Sequence, residues 1–161
     1  LAHWIFPLSE VLTGALRFLV VLTLLIGFAV LYTGQASNAY LALPALLALN
    51  LVFIFALGLL LACIVPFFPD SRKIIDNLFQ LLFFCSGIFF DILKLDASSA
   101  QLLYLNPCAS FLSAYRQIML DGQFPSMTVL YSPLLVTAIL IALACVTYKG
   151  VHEQLPKALL R

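Results

Sequence analysis

Four long apolar runs, separated by polar or turn-forming residues, divide the chain. Each holds the ~20 mostly apolar residues that a helix needs to cross a bilayer. The first covers residues 11–32; Pro7 precedes it and Thr33-Gly34-Gln35 closes it. The second covers residues 40–68, with Pro44 near its start and Pro66-Phe67-Phe68-Pro69 at its end. The third covers residues 74–93, and the fourth covers residues 129–148 around Ser132-Pro133. Together they predict a single all-α integral membrane domain over residues 1–161, without repeats.

A shorter amphipathic pattern lies between the third and fourth runs. Asn106-Pro107 marks a helix start, because Asn caps the first free amides and Pro suits the first helical position. Asp121-Gly122 marks its end, because Gly accepts the left-handed cap. Phe111, Leu112, Tyr115, Ile118 and Met119 share one face, and Ser110, Ser113, Arg116 and Gln117 lean to the other. At 1.5 Å per residue such a helix reaches only ~21 Å, too short for ~30 Å of hydrocarbon. A second short helix over residues 97–104, capped by Asp96, would complete a hairpin. Periodicity allows either a re-entrant hairpin packed on protein or an interfacial helix lying on the membrane surface.

Charge orients these elements. Arg72 and Lys73 lie between the second and third runs, and Lys149, Lys157 and Arg161 follow the fourth, whereas residues 34–39 carry no Lys or Arg. The positive-inside bias then places the C-terminus and the Arg72 turn in the cytoplasm. Arg17 sits inside the first run, where it either snorkels to the interface or faces a wet cavity.

Polar residues inside the runs suggest where a path lies. Asp76, Gln80, Phe83, Gly87 and Phe90 recur at helical spacing along the third run, a face that starts charged and ends aromatic. It reads either as a wet translocation path, whose aromatic rings stack on sugars, or as plain helix packing. Gly58 with Ala62, Thr23 with Gly27 and Ala138 with Ala142 form small-xxx-small pairs that predict close helix contacts.

Composition narrows the function classes. Hydrophobic residues make up 64% of the chain and charged residues 9%, far below the ~25% of soluble domains. A formal charge of +1 gives no basic stripe for nucleic acid. The motif of a P-loop is missing, as are HExxH and GxSxG. His3 and His152 stand at opposite ends, and Cys63, Cys85, Cys108 and Cys145 lack metal-ligand spacing. Neither a catalytic site nor a metal or cofactor site is expected.

Several stretches, taken in order, resemble the membrane subunit of an ABC-2 type transporter, of the branch that exports capsule, O-antigen or teichoic acid polysaccharide. Ile5-Phe6-Pro7-Leu8 is similar to the start of that family's third span. Phe67-Phe68-Pro69-Asp70-Ser71-Arg72 resembles its cytoplasmic turn, with Pro69 where the family has Arg. Ser86-Gly87-Ile88-Phe89-Phe90 resembles a stretch late in its fifth span, with Gly87 in place of Pro. Asn106-Pro107, Tyr115-Arg116, Gly122 and Pro125 resemble its re-entrant segment.

The resemblance implies spans three to six of a six-span permease, without the amphipathic N-terminal helix and the first two spans. It implies two copies of the permease, two ATP-binding ABC subunits that carry the hydrolysis, and a lipid-linked glycan as substrate in the bacterial cytoplasmic (inner) membrane. It places Asp76, Gln80, Phe83, Gly87 and Phe90 along the translocation path. Asn106, Pro107, Tyr115 and Arg116 would lie in an outer gate helix, and Asp70 and Arg72 in a cytoplasmic turn. The competing expectations are an ABC-2 permease for a drug or lipid, a non-transporting membrane scaffold, and a membrane enzyme acting on lipid-linked sugars.

Overall fold

The computed structural model describes residues 5–33, 37–65, 68, 70–88 and 103–151. Its helices, in chain order, are α1 (Ile5–Thr33), a short 3-10 helix (Asn38–Ala42), α2 (Leu43–Ile64), α3 (Ser71–Phe84), α4 (Pro107–Met119) and α5 (Met127–Val151). Among the described residues there is no strand, and the chain is an all-α integral membrane protein.

Among the described residues, three stretches are long and apolar enough to span: Leu8–Leu31, Asn38–Ile64 and Met127–Thr147. They correspond to the first, second and fourth runs. Leu16, Leu24, Phe28 and Leu31 are 67%, 70%, 69% and 85% exposed. Water would penalise that surface heavily, whereas lipid or neighbouring apolar helices would not.

The third run departs from expectation. Its helix, α3, stops at Phe84 after 14 residues, which is ~21 Å and short of a span. Cys85 leaves the helical region, the Ser86 amide and hydroxyl both turn back to the Phe83 carbonyl at 3.1 and 2.6 Å, and Gly87 adopts φ 78°. Only Gly enters that left-handed region without a steric cost. The continuous helix expected over residues 74–93 is therefore broken at Cys85–Gly87; residues 89–93 lie outside the described residues.

The core forms where α2, α4, α5 and the 3-10 helix meet, with Leu22 of α1 joining from one side. Phe53 of α2 and Phe111 of α4 stack at a tilt, 5.5 Å between ring centres. Of the expected small-xxx-small pairs, Gly58 and Ala62 of α2 are half-buried and the other two pairs are not buried. Ala56, Cys63 and Ala144 are buried, whereas Thr23, Gly27, Ala138 and Ala142 are exposed. A Cβ added at Gly27 would touch nothing within 4 Å. Pro133 is fully buried inside α5. Its ring leaves a helical carbonyl unbonded, and neighbouring groups in a membrane bundle tolerate this.

Candidate gate and path site

α4 begins as its sequence dictates. Asn106 is extended at φ −74°, ψ 113°, and its Oδ1 accepts the Cys108 amide at 3.0 Å, with Pro107 as the first helical residue. It ends at Gly122, φ 63°, where the Gln123 amide donates back to the Gln117 carbonyl at 3.0 Å. The Ser37 hydroxyl donates to the Gly122 carbonyl at 2.7 Å, fixing this turn to the chain that follows α1.

Burial shows that α4 is packed on protein. Ala109, Ser110, Ala114 and Ile118 are 0% exposed, and α4 packs on α5, α2 and the 3-10 helix. A helix lying on the membrane surface would leave one whole face outward. α4 instead packs inside the bundle. Its buried side is the Ala109, Ala114 and Ile118 stripe together with Phe111. Ser110 belongs there too, its hydroxyl donating to the Tyr104 carbonyl at 2.9 Å. Of the helix expected before α4, Leu103 and Tyr104 are helical; Asp96 and residues 97–102 lie outside the described residues.

The junction ahead of α4 is satisfied from several elements. Ser132 of α5 donates to the Leu105 carbonyl at 3.1 Å, and the Asn106 Nδ2 donates to the Leu82 carbonyl of α3 at 3.0 Å. Further along α4, Arg116 Nη1 donates to the Gly87 carbonyl at 3.1 Å. Asn106 and Arg116, expected in the gate, thus both contact the end of α3.

The expected path residues divide at the helix break. Asp76, Gln80 and Phe83 lie on α3 and are exposed. Gly87 is buried beyond the turn and does not continue their helical face; Phe90 lies outside the described residues. In the turn between α2 and α3, Asp70 precedes α3 without a side-chain cap bond, Arg72 is exposed, and the Ser71 hydroxyl donates to the Phe68 carbonyl at 2.6 Å.

Two cavities flank α1. One, of about 540 Å³, lies between α1 and α4, lined by apolar side chains with Tyr115 and Arg116 as its polar members. The other, of about 340 Å³, lies between α1 and α2, with Glu10 and Asn50 on its wall. Phe18 borders both and meets the Tyr115 ring edge-on at 5.7 Å. The Tyr115 hydroxyl is buried and faces the Asn50 side chain of α2. Arg17 is exposed and lines neither cavity.

Residues 1–120 match the ABC-2 type transporter family model. The chain belongs to the ABC-2 type transporter family. It is similar to the O-antigen export system permease protein RfbA of Myxococcus xanthus, 27% identical over 158 residues, covering 96% of this chain and 60% of that protein. Two proteins of the same description from Klebsiella pneumoniae are 24% and 22% identical over 119 residues, each match covering 73% of this chain and 46% of theirs. The ABC-2 chain therefore spans less than two thirds of the length of these relatives. No solved structure matches it.

Sequence reasoning about this ABC-2 chain missed Phe18, Asn50 and Ser132. Each looks unremarkable along its own helix and gains its role from a neighbour on another. Asn50 had one available signal, an amide within a long apolar run.

Proposed function

We propose that the chain is part of the membrane permease of an ATP-driven exporter that moves a polysaccharide or lipid-linked glycan across the bacterial cytoplasmic membrane. The family match, together with relatives described as O-antigen export permeases, carries this reading. The short helix α4, buried beside the broken end of α3, supports a gate between spans. The chain itself is not an enzyme in this reading and needs no cofactor. A separate ABC subunit binds and hydrolyses ATP, a second permease copy completes the channel, and the C-terminus faces the cytoplasm.

A polar polymer cannot cross hydrocarbon unaided, so the exporter must provide a wet route. Asp76, Gln80 and Phe83 of α3, with Phe90 beyond it, would line that route, and Asn106, Pro107, Tyr115 and Arg116 would form its outer gate. Asp70 and Arg72 would sit at the cytoplasmic turn.

Reconstitution of the full-length protein with its ATPase in vesicles tests the proposal. A lipid-linked glycan should stimulate ATP hydrolysis and appear on the far side of the membrane. Turnover of that glycan by the permease alone, without ATP, would overturn the proposal in favour of a membrane enzyme. Stimulation by a drug or a bare lipid, with none by the glycan, would replace the substrate class.

A further inference from the structure

α3 is held in an unusual way. None of its residues is buried. Its last turn nevertheless ends in a region where unsatisfied carbonyls are costly. The Leu81 carbonyl takes the Cys85 amide at 3.0 Å, and the Phe83 carbonyl takes the Ser86 amide and hydroxyl. The carbonyls of Leu82 and Gly87 accept from α4 and its cap: Asn106 Nδ2 at 3.0 Å and Arg116 Nη1 at 3.1 Å.

These donors lie ten residues apart in sequence, one at the start of α4 and one near its end. They grip the end of α3 on either side of its break. The Arg116 charge also lies close beyond the C-terminus of α3, where the helix dipole favours a cation. Among the described residues, no carboxylate pairs with Arg116.

We infer that Asn106 and Arg116 are positioning residues forming a two-point latch, which fixes where α3 ends and passes any movement of α3 to α4. The latch rests on the proposed export function only for its consequence, the coupling of path and gate. A guanidinium at membrane depth then serves to satisfy a broken helix rather than to anchor at headgroups. The planar fork suits this task, since its remaining donors stay free for water or substrate.

Hydrogen–deuterium exchange on the full-length protein with its ATPase, in lipid nanodiscs, tests the latch. In Arg116→Met, exchange at the Cys85 and Ser86 amides should rise at least tenfold, while residues 129–144 stay within twofold of wild type. Asn106→Ser keeps an oxygen to cap α4 but cannot reach Leu82; it should raise Cys85 exchange several-fold with α4 still protected. Glycan exported per ATP hydrolysed should fall at least tenfold in Arg116→Met, and Arg116→Lys should recover only part of it. Unchanged exchange at 85–88 in both Arg116→Met and Asn106→Ser would overturn the latch. Raised exchange with an unchanged export-to-ATP ratio would overturn its coupling role. If the wild-type complex moved no glycan, the export reading would fail, and the exchange results would still decide the latch.

Discussion

Asn106 does two jobs with one amide. Its oxygen caps α4 and its nitrogen closes the Leu82 carbonyl. Removing a cap costs about 1 kcal/mol, and leaving a buried carbonyl unpaired costs about 1–3 kcal/mol more. Asn106→Ala should therefore destabilise the protein by about 2–4 kcal/mol, read as a lowered unfolding midpoint in detergent. Asn106→Ser should lose only the second contribution. Gly122 offers a cleaner backbone test. At φ 63° an added Cβ is strained and would lie 3.3 Å from the Ser37 Oγ. Gly122→Ala should cost about 1–2 kcal/mol and loosen the Ser37 contact, so exchange at the Ala39 amide, which Ser37 Oγ also accepts, should rise. The capping residues at both ends of α4 were legible in the sequence, because a cap is written within a few positions of the turn it serves.

At the scale of elements, α4 is the decisive piece. Its 13 residues cannot cross the bilayer, and its alanines let it lie deep among longer helices. Ala114 is fully buried, so Ala114→Leu should overpack the site and cost about 1–3 kcal/mol. Leu120→Ala, at a position 71% exposed, should stay within about 0.5 kcal/mol. Equal effects of the two would contradict a buried α4. The amphipathic pattern showed a helix here and grouped Phe111 and Ile118, both buried, on one face, but it did not single out the small residues beside them. Hydrophobicity selects Leu112 and Met119, whereas close packing selects Ala109, Ser110 and Ala114. The small residues look neutral along the chain and matter only once another helix is against them.

For the whole molecule, charge and the order of the helices make a joint prediction. With the Arg72 turn and the C-terminal tail in the cytoplasm, cysteines replacing Gly34 or Gln123 should react with an impermeant reagent from outside. A cysteine replacing Gln154 should react only after the membrane is opened. Labelling of position 154 in sealed cells would reverse the orientation. The exposed apolar faces of α1 and α3, with Phe28 and Ile74 both 69% exposed, show how much of this surface requires lipid or further apolar helices.

The class of protein, three of its spans and both ends of α4 follow from the sequence alone. Each depends on apolar length or on a capping residue a few positions away, and such signals survive without knowledge of the neighbours. The break of the third run was visible only as a Ser86-Gly87 weak point, since Gly permits a turn without requiring one. What turned that possibility into a broken helix was the supply of hydrogen-bond donors from far along the chain: Asn106, 24 residues beyond Leu82, and Arg116, 29 residues beyond Gly87. A carbonyl can leave its helix at membrane depth only where another group replaces the lost bond, and the tertiary structure alone decides which group that is.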